Sequence, residues 1–427
     1  MTMARMKILY ISHRLNVLDG SSVHSREFVK NATRLNCVIQ SYPNIVPTEK
    51  LLKSKHMRKK KNIKYCLELS YYVIFVYMIR KLFGYVPDII NMCRGLIDSV
   101  YEYFRLSRLL RTNRPSIIVY RYKLFNFAPY WIARKFNIPI LTEVNSLVSH
   151  EGILISQRTH ASCATFWAER KFIKSSDYLF CVTNEVKKQV DAYKLGIGSC
   201  IISNGVDTTK FDPQKFEKKK IIEKLGLYNK IVLGYVGTYK SWHGTETTIE
   251  LMKHLVKEDR RYHLLMIGNG NASVSIRQLI IKYGLTEYVT QIDQIPHEDV
   301  PLYMSAFDFA VMTYPDIKSF HGAPLKFYEY MSMGIPVVVS SIGEFSRIIT
   351  DQYNGILVYP PSAENFALAI KKARGKEREI GLHGRRLMEK EFTWLENAKQ
   401  VLTLCERVIS NRSASEKKPF QPLELMK

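Results

Sequence analysis

Residues 321–340, HGAPLKFYEYMSMGIPVVVS, read as a turn, a short helix and a buried strand. Pro324 suits the start of a helix and Gly334 the position just past its end, so the pattern predicts a helix from about Pro324 to Met333. Lys326 then falls in the first turn, where the positive end of the helix disfavours a cation by about 0.3–1 kcal/mol unless an anion stands nearby. Glu329, three residues on, shares its face. Two readings follow: a cation and a carboxylate presented together to an anionic ligand, or an ordinary i,i+3 surface pair.

Outward from this stretch the same scheme recurs. KILYIS (7–12), SIIVYR (116–121), PILTEV (139–144), YLFCVT (178–183) and CIIS (200–203) alternate with helical patterns. IVLGYVG (231–237), YHLLMIGNG (262–270), YVTQI (288–292), DFAVMTY (308–314) and IPVVVS (335–340) repeat the plan. Strands separated by helices imply parallel sheets, so the expected fold class is α/β, with two doubly wound, Rossmann-like domains facing a cleft. A turn-rich, lysine-rich stretch sets the boundary near 210, giving domains 1–209 and 210–392. A last helix over 393–410 is expected to pack back on the first domain, and 411–427 to form a tail. Ligands of open α/β sheets lie at the carboxyl ends of the strands, which directs attention to the strand-to-helix loops.

A chain of 427 residues exceeds one core, and 63 Lys and Arg against 39 Asp and Glu leave +24, so the partners are expected to be anionic. The seven cysteines are scattered without ligand spacing, which suits a reducing cytosol. No signal peptide is expected, because MTMARMKILYISHRL (1–15) reaches a strand-like run without a long apolar stretch, and no spanning helix, because the apolar run from Tyr65 is broken by Glu68, Arg80 and Lys81. The block KSKHMRKKKNIK (53–64) precedes that aromatic run. The pairing suits adsorption to an anionic membrane surface from the cytoplasmic side, and equally a solvated loop before a core helix.

Four loops carry candidate chemistry. Gly20, Ser21 and Ser22 precede a helix expected near Val23, where small residues let backbone N–H groups approach a phosphate or sugar, or where a serine simply caps the helix. Gly237 and Thr238 end a strand ahead of Lys240 and His243. A lysine there reaches toward Lys326, and two converging cations call for a multiply charged anion such as a diphosphate. Gly268 and Asn269 end the next strand, and the loop from Ile295 to His297 follows; either could wall a nucleotide base or be a plain turn. No G-x-G-x-x-G or G-x-x-x-x-G-K-[ST] pattern occurs, which removes weight from dinucleotide and ATP enzymes.

SNGVDTTKF, YVGTYKSWHG, MIGNGN, IPHEDVPLYMSAFDFAVM and GAPLKFYEYMSMGIPVVVS occur in the order and spacing that resembles retaining, nucleotide-sugar-dependent glycosyltransferases of family 4, with the GT-B fold. The resemblance spans about residues 200–400 and is thinner before that. It implies a donor held mainly by the second domain, with Glu329 on the ribose hydroxyls. It also implies backbone amides of Gly322, Ala323 and Leu325 facing the diphosphate and sugar, and Lys326 with Lys240 neutralising the departing diphosphate. No Asp-x-Asp is present, so no metal or other cofactor is expected.

The chain also departs from the pattern. Eight positions before Glu329, where the family carries a second glutamate, stands His321, and where a histidine often follows the strand matching LTEV stands Asn145, with His150 five residues on. Asn145, and after it His150, are read as sugar contacts, with a structural role as the alternative for each. The expected function is retaining transfer of a sugar from a nucleoside-diphosphate sugar to an acceptor hydroxyl in surface polysaccharide or glycolipid assembly. The expected partners are that donor, a glycan or lipid-linked acceptor and an anionic membrane surface, with no nucleic acid. A nucleic-acid-binding protein, suggested by the charge, and a GT-B nucleotide-sugar epimerase are the alternatives.

Overall fold

A computed structural model describes residues 6–16, 20–45, 86–150 and 163–414. The chain forms two compact units, Met1–Ser203 with Asn397–Lys427, and Asn204–Glu396. The basic and aromatic region 53–83 lies outside the described residues.

In the first unit six parallel strands take the order β2-β1-β3-β4-β5-β6: β1 Lys7–Ile11, β2 Val38–Tyr42, β3 Ile117–Arg121, β4 Ile140–Val144, β5 Tyr178–Cys181 and β6 Ser199–Ile201. The central strands are buried on both faces, as parallel strands covered by helices must be. The last helix, Trp394–Ala414, sends Ala398, Val401, Cys405 and Val408 into the same core as Ile8, Tyr10 and Leu141. Its spacing of three and four residues puts those side chains on one face.

The second unit has the order β12-β11-β10-β7-β8-β9, with β7 Ile231–Val236, β8 Tyr262–Ile267, β9 Val289–Ile292, β10 Phe309–Met312, β11 Val337–Ser340 and β12 Ile356–Val358. One core packs against each face of this sheet. The opening stretch folds as read, with a helix Leu325–Ser332 capped by Pro324 and closed at Gly334, whose φ of +65° suits a glycine.

Two strands escaped the sequence reading. β2 is an edge strand whose side chains are at best half-buried, and β12 is an edge strand of three residues; neither shows the long apolar run that marks the others. The first helix is corrected as well. It begins at Gly20, three residues before Val23, so Ser22 sits inside it and donates its hydroxyl to the Leu15 carbonyl at 3.0 Å. None of the described helices is long and apolar enough to cross a membrane.

Candidate functional site

The second sheet reverses its strand order between β7 and β10, the place where such sheets leave a ligand crevice beyond their carboxyl ends. Gly237 and Gly268 end β7 and β8 with φ of +132° and +131°. A Cβ on Gly268 would stand 2.1 Å from the Gly237 carbonyl oxygen, so the two strand ends approach this closely only without side chains. A Cβ on Gly237 would stand 3.6 Å from the Lys326 ammonium, which therefore lies against bare backbone.

Lys326 Nζ sits 4.0 Å from the centroid of the Tyr235 ring and 6.0 Å from that of Tyr314. The quadrupoles of these rings attract the ammonium but carry no net charge. Burial, opposed only in part by the Glu329 charge, lowers its pKa to about 7. Among the described residues no ion pair closes on it.

Glu329, one helical turn on and nearly buried, accepts a hydrogen bond from His297 Nε2 at 2.8 Å. His297 Nδ1 in turn accepts from the Lys210 ammonium at 2.7 Å. Because an ammonium can only donate, Nδ1 carries the lone pair and Nε2 the proton, so the carboxylate is held by a neutral imidazole.

Lys240 is exposed, with its ammonium 5.2 Å above the Trp242 ring. His243 links the two lysines: burial first, then the Lys326 and Lys240 charges, drive its pKa to about 3, while its Nδ1–H donates to the Thr238 carbonyl at 2.8 Å. Asn269 donates from its side chain to Asp293 at 2.5 Å, and its carbonyl accepts from the Tyr239 amide at 3.0 Å. Ile295 is half-buried against the core of this unit. Ahead of the helix, the Ala323 carbonyl is pinned by the Asn204 side chain at 2.8 Å, and a Cβ on Gly322 would stand 2.6 Å from the Phe320 ring. Gly322 and Ala323 thus form a fixed turn that leads into the helix at Leu325, one residue before Lys326. His321, where the family pattern has glutamate, is half-buried at the start of this turn.

Gly20, Asn145 and His150 belong to the first unit. Gly20 is an exposed first helical residue, and His150 Nδ1 lies 3.0 Å from Ser149 Oγ. Asn145 is drawn into a network absent from the sequence reading. The Arg121 guanidinium lies 2.9 Å from Glu143 Oε1 and donates to Asn145 Oδ1 at 3.0 Å; Asn145 Nδ2 donates to Glu143 Oε1 at 2.6 Å. His24 Nδ1 accepts from Arg121 Nη1 at 2.5 Å, and the Tyr10 hydroxyl reaches Glu143 Oε2 at 3.4 Å. Burial raises the Glu143 pKa, but Arg121 above all, with His24, Asn145 and Tyr10, outweighs it and leaves a net lowering; burial holds His24 neutral, with a pKa near 4. A signal was available: an acid in the otherwise apolar run PILTEV is buried with its strand and must find a cation.

Comparison with known proteins adds an independent line. Residues 80–210 match the family model described as Glycosyltransferase Family 4, and residues 217–380 match Glycosyl transferases group 1. The alpha-D-kanosaminyltransferase of Streptomyces kanamyceticus is 24% identical over 255 residues, 58% of this chain and 64% of that protein. The lipopolysaccharide core biosynthesis mannosyltransferase of Rhizobium meliloti is 23% identical over 201 residues, 46% of this chain and 52% of that protein. The alignments with the first three curated relatives thus span 56% to 64% of those proteins' lengths. Among solved structures, the sucrose-phosphate synthase of Thermosynechococcus elongatus superposes with a TM-score of 0.67 at 17% identity, covering 95% of this chain and all of that one. The HepE protein of Anabaena in complex with UDP superposes with a TM-score of 0.65 at 14% identity, covering 94% of this chain and all of that one. At these identities the likeness is one of fold.

Proposed function

We propose that this chain, which belongs to the glycosyltransferases of the GT-B fold, moves a sugar from a nucleoside-diphosphate sugar to an acceptor hydroxyl with retention at the anomeric carbon. The observation that carries the reading is Lys326. It is a cation at a helix start, against the bare Gly237 loop, held by uncharged rings and without an ion-pair partner among the described residues. A diphosphate supplies the missing anion. Glu329 then receives the ribose hydroxyls on Oε2, its other oxygen being taken by His297. Gly322, Ala323 and Leu325 line the turn facing the phosphates, Lys240 adds a second cation from the β7 loop, and Gly268, Asn269 and Ile295 border the base.

In the reaction the acceptor oxygen bonds to the anomeric carbon on the face from which the phosphate departs. The bond from that carbon to the phosphate oxygen breaks, and the leaving oxygen takes the acceptor's proton. No side-chain nucleophile is needed. The electrostatic demand is the charge building on the diphosphate, which Lys326 and the helix start meet without reorganisation.

The acceptor we infer is a glycan or lipid-linked glycan handled on the cytoplasmic side of a membrane; one relative is named for lipopolysaccharide core biosynthesis and another as an alpha-monoglucosyldiacylglycerol synthase. Because structural neighbours are described in complex with UDP and with UDP-glucose, uridine donors are the first to try.

Calorimetric titration with UDP-, GDP- and ADP-sugars tests donor binding, and NMR of the product tests the anomeric outcome. One class of donor is expected to bind, and the new linkage to keep the donor's configuration. Inversion would overturn the mechanism, and epimerised free nucleotide sugar without acceptor would favour the epimerase.

A further inference from the structure

The helix Val86–Thr112 is inside out over two turns. Ser99 and Glu102, which are polar, are buried with Leu106, while Ile97, Val100, Tyr101 and Phe104 are 70%, 48%, 67% and 65% exposed. The exposed set recurs at three and four residues, so it forms one continuous apolar stripe. The inversion is built in rather than accidental. Ser99 donates to the Gly95 carbonyl at 2.7 Å and receives the Phe127 amide at 3.0 Å, and Asn126 Nδ2 donates to Glu102 at 2.7 Å and lies 2.5 Å from His13 Nε2. The polar face is therefore tied inward, and the helix cannot roll to hide its apolar one.

Beside the stripe, Val100, Tyr103, Phe104 and Trp131, with Arg134 and Lys135 at the rim, line a shallow, open groove of about 490 Å³. Cations edge the apolar area. Lys135 lies 5.0 Å from the Tyr103 ring centroid and donates to its hydroxyl at 3.0 Å, and Arg105 lies 5.7 Å from that of Tyr101. Such side chains lay their stems along apolar surface and present charged heads at its border.

We propose that this face docks onto an anionic phospholipid bilayer, with Tyr101, Phe104 and Trp131 entering the acyl boundary and Arg105, Arg134 and Lys135 meeting lipid phosphates. Aromatic residues with a polar edge favour the depth of the headgroups, and cations near an anionic surface add to apolar insertion. Charge complementarity selects this occupant over residues 53–64 of the same chain, which are basic and would be repelled by the rim. The inference uses no residue of the donor site and stands or falls separately from sugar transfer.

The test is sedimentation of the full chain, without donor or acceptor, with vesicles of phosphatidylcholine alone or mixed with phosphatidylglycerol. Binding is expected only to the mixed vesicles. Tyr101→Ser with Phe104→Ser should lower the bound fraction about tenfold, and Arg134→Glu with Lys135→Glu several-fold. Both pairs are exposed, and near-UV circular dichroism checks that each variant folds; Phe104→Ser alone serves if the first pair does not. Lipids brominated on their chains should quench the wild type more than Trp131→Phe. Equal binding to neutral vesicles, or folded variants that sediment like the wild type, would overturn the proposal, the latter placing any lipid contact elsewhere in the chain. Unchanged quenching in Trp131→Phe would overturn it too.

Discussion

The two sheets each reverse strand order once, and the polar groups at the two reversals are arranged in opposite ways. At the carboxyl ends of β1, β3 and β4 the charges answer one another: Arg121 meets Glu143 at 2.9 Å, and Asn145, His24 and Tyr10 use the remaining hydrogen-bonding capacity. Beyond β7 and β10 the cation Lys326 rests on neutral rings and the anion Glu329 on a neutral imidazole. A buried network that neutralises itself holds a fold together, whereas charges propped by neutral groups leave room for a charged ligand. The same crevice thus serves as structure in one unit and as a candidate site in the other.

The sharpest way to break this comparison is to remove one partner from the self-neutralised network. Arg121→Met leaves Glu143 buried without its cation and is expected to cost about 3–5 kcal/mol in denaturant unfolding, while Arg121→Met with Glu143→Leu recovers much of the loss. Acid should act in the same direction. His24 and Glu143 both have lowered pKa values in the folded chain, so the unfolded chain binds more protons. Stability of the first unit should fall as pH drops from about 6.5 toward 4 through His24, and further as Glu143 protonates. An Arg121→Met variant of unchanged stability and lost transfer would mean that this network belongs to the active site.

The second expected effect is on activity. Lys326→Ala should lower kcat/KM by about a hundredfold to a thousandfold, the scale for losing one group aimed at developing charge, with no fall in melting temperature. Glu329→Ala should act mainly through donor KM. Destabilised variants with donor affinity intact would reduce the pair to a surface contact and erase the contrast.

How far each region was legible follows from its covalent layout. The donor-side loops could be read because each is a short run at a strand end, with glycine, lysine and turn residues contiguous in sequence. The first-unit network could not, since Arg121 and His24 are 97 residues apart and each lies within a regular element where no spacing marks it. The relay behind Glu329 was hidden for the same reason: His297 precedes it by 32 residues and Lys210 precedes His297 by 87. Edge strand β2 was missed because a parallel strand betrays itself by apolar burial on both faces, which this edge lacks, and β12 because its three apolar residues are too short a run to mark a strand.

A third, smaller effect sharpens the comparison through protons. The folded pKa of Lys326, about 7, lies below that of an unfolded lysine, so the unfolded chain holds the extra proton between about pH 7 and 10. Stability without ligand should therefore rise with pH across that window, and this component should vanish in Lys326→Met. A diphosphate placed beside Nζ favours the ammonium, so UDP binding at pH 8 should take up close to one proton, read from calorimetric heats in buffers of different ionisation enthalpy. Uptake unchanged in Lys326→Met would assign the proton elsewhere.

The smallest effect expected concerns the propped carboxylate. His297 touches no donor atom in the proposed arrangement; it fixes Glu329 by occupying Oε1, and Lys210 fixes the tautomer that lets it do so. Loss of that prop frees Glu329 to rotate without removing its charge. His297→Ala should therefore raise donor KM about threefold to tenfold, the range of one ordinary hydrogen bond, with kcat nearly unchanged. His297→Gln, which keeps an N–H donor, should recover most of the affinity. A collapse of kcat in His297→Ala, unrescued by glutamine, would place the imidazole against the reacting atoms instead and make the second crevice more than a charge receptor.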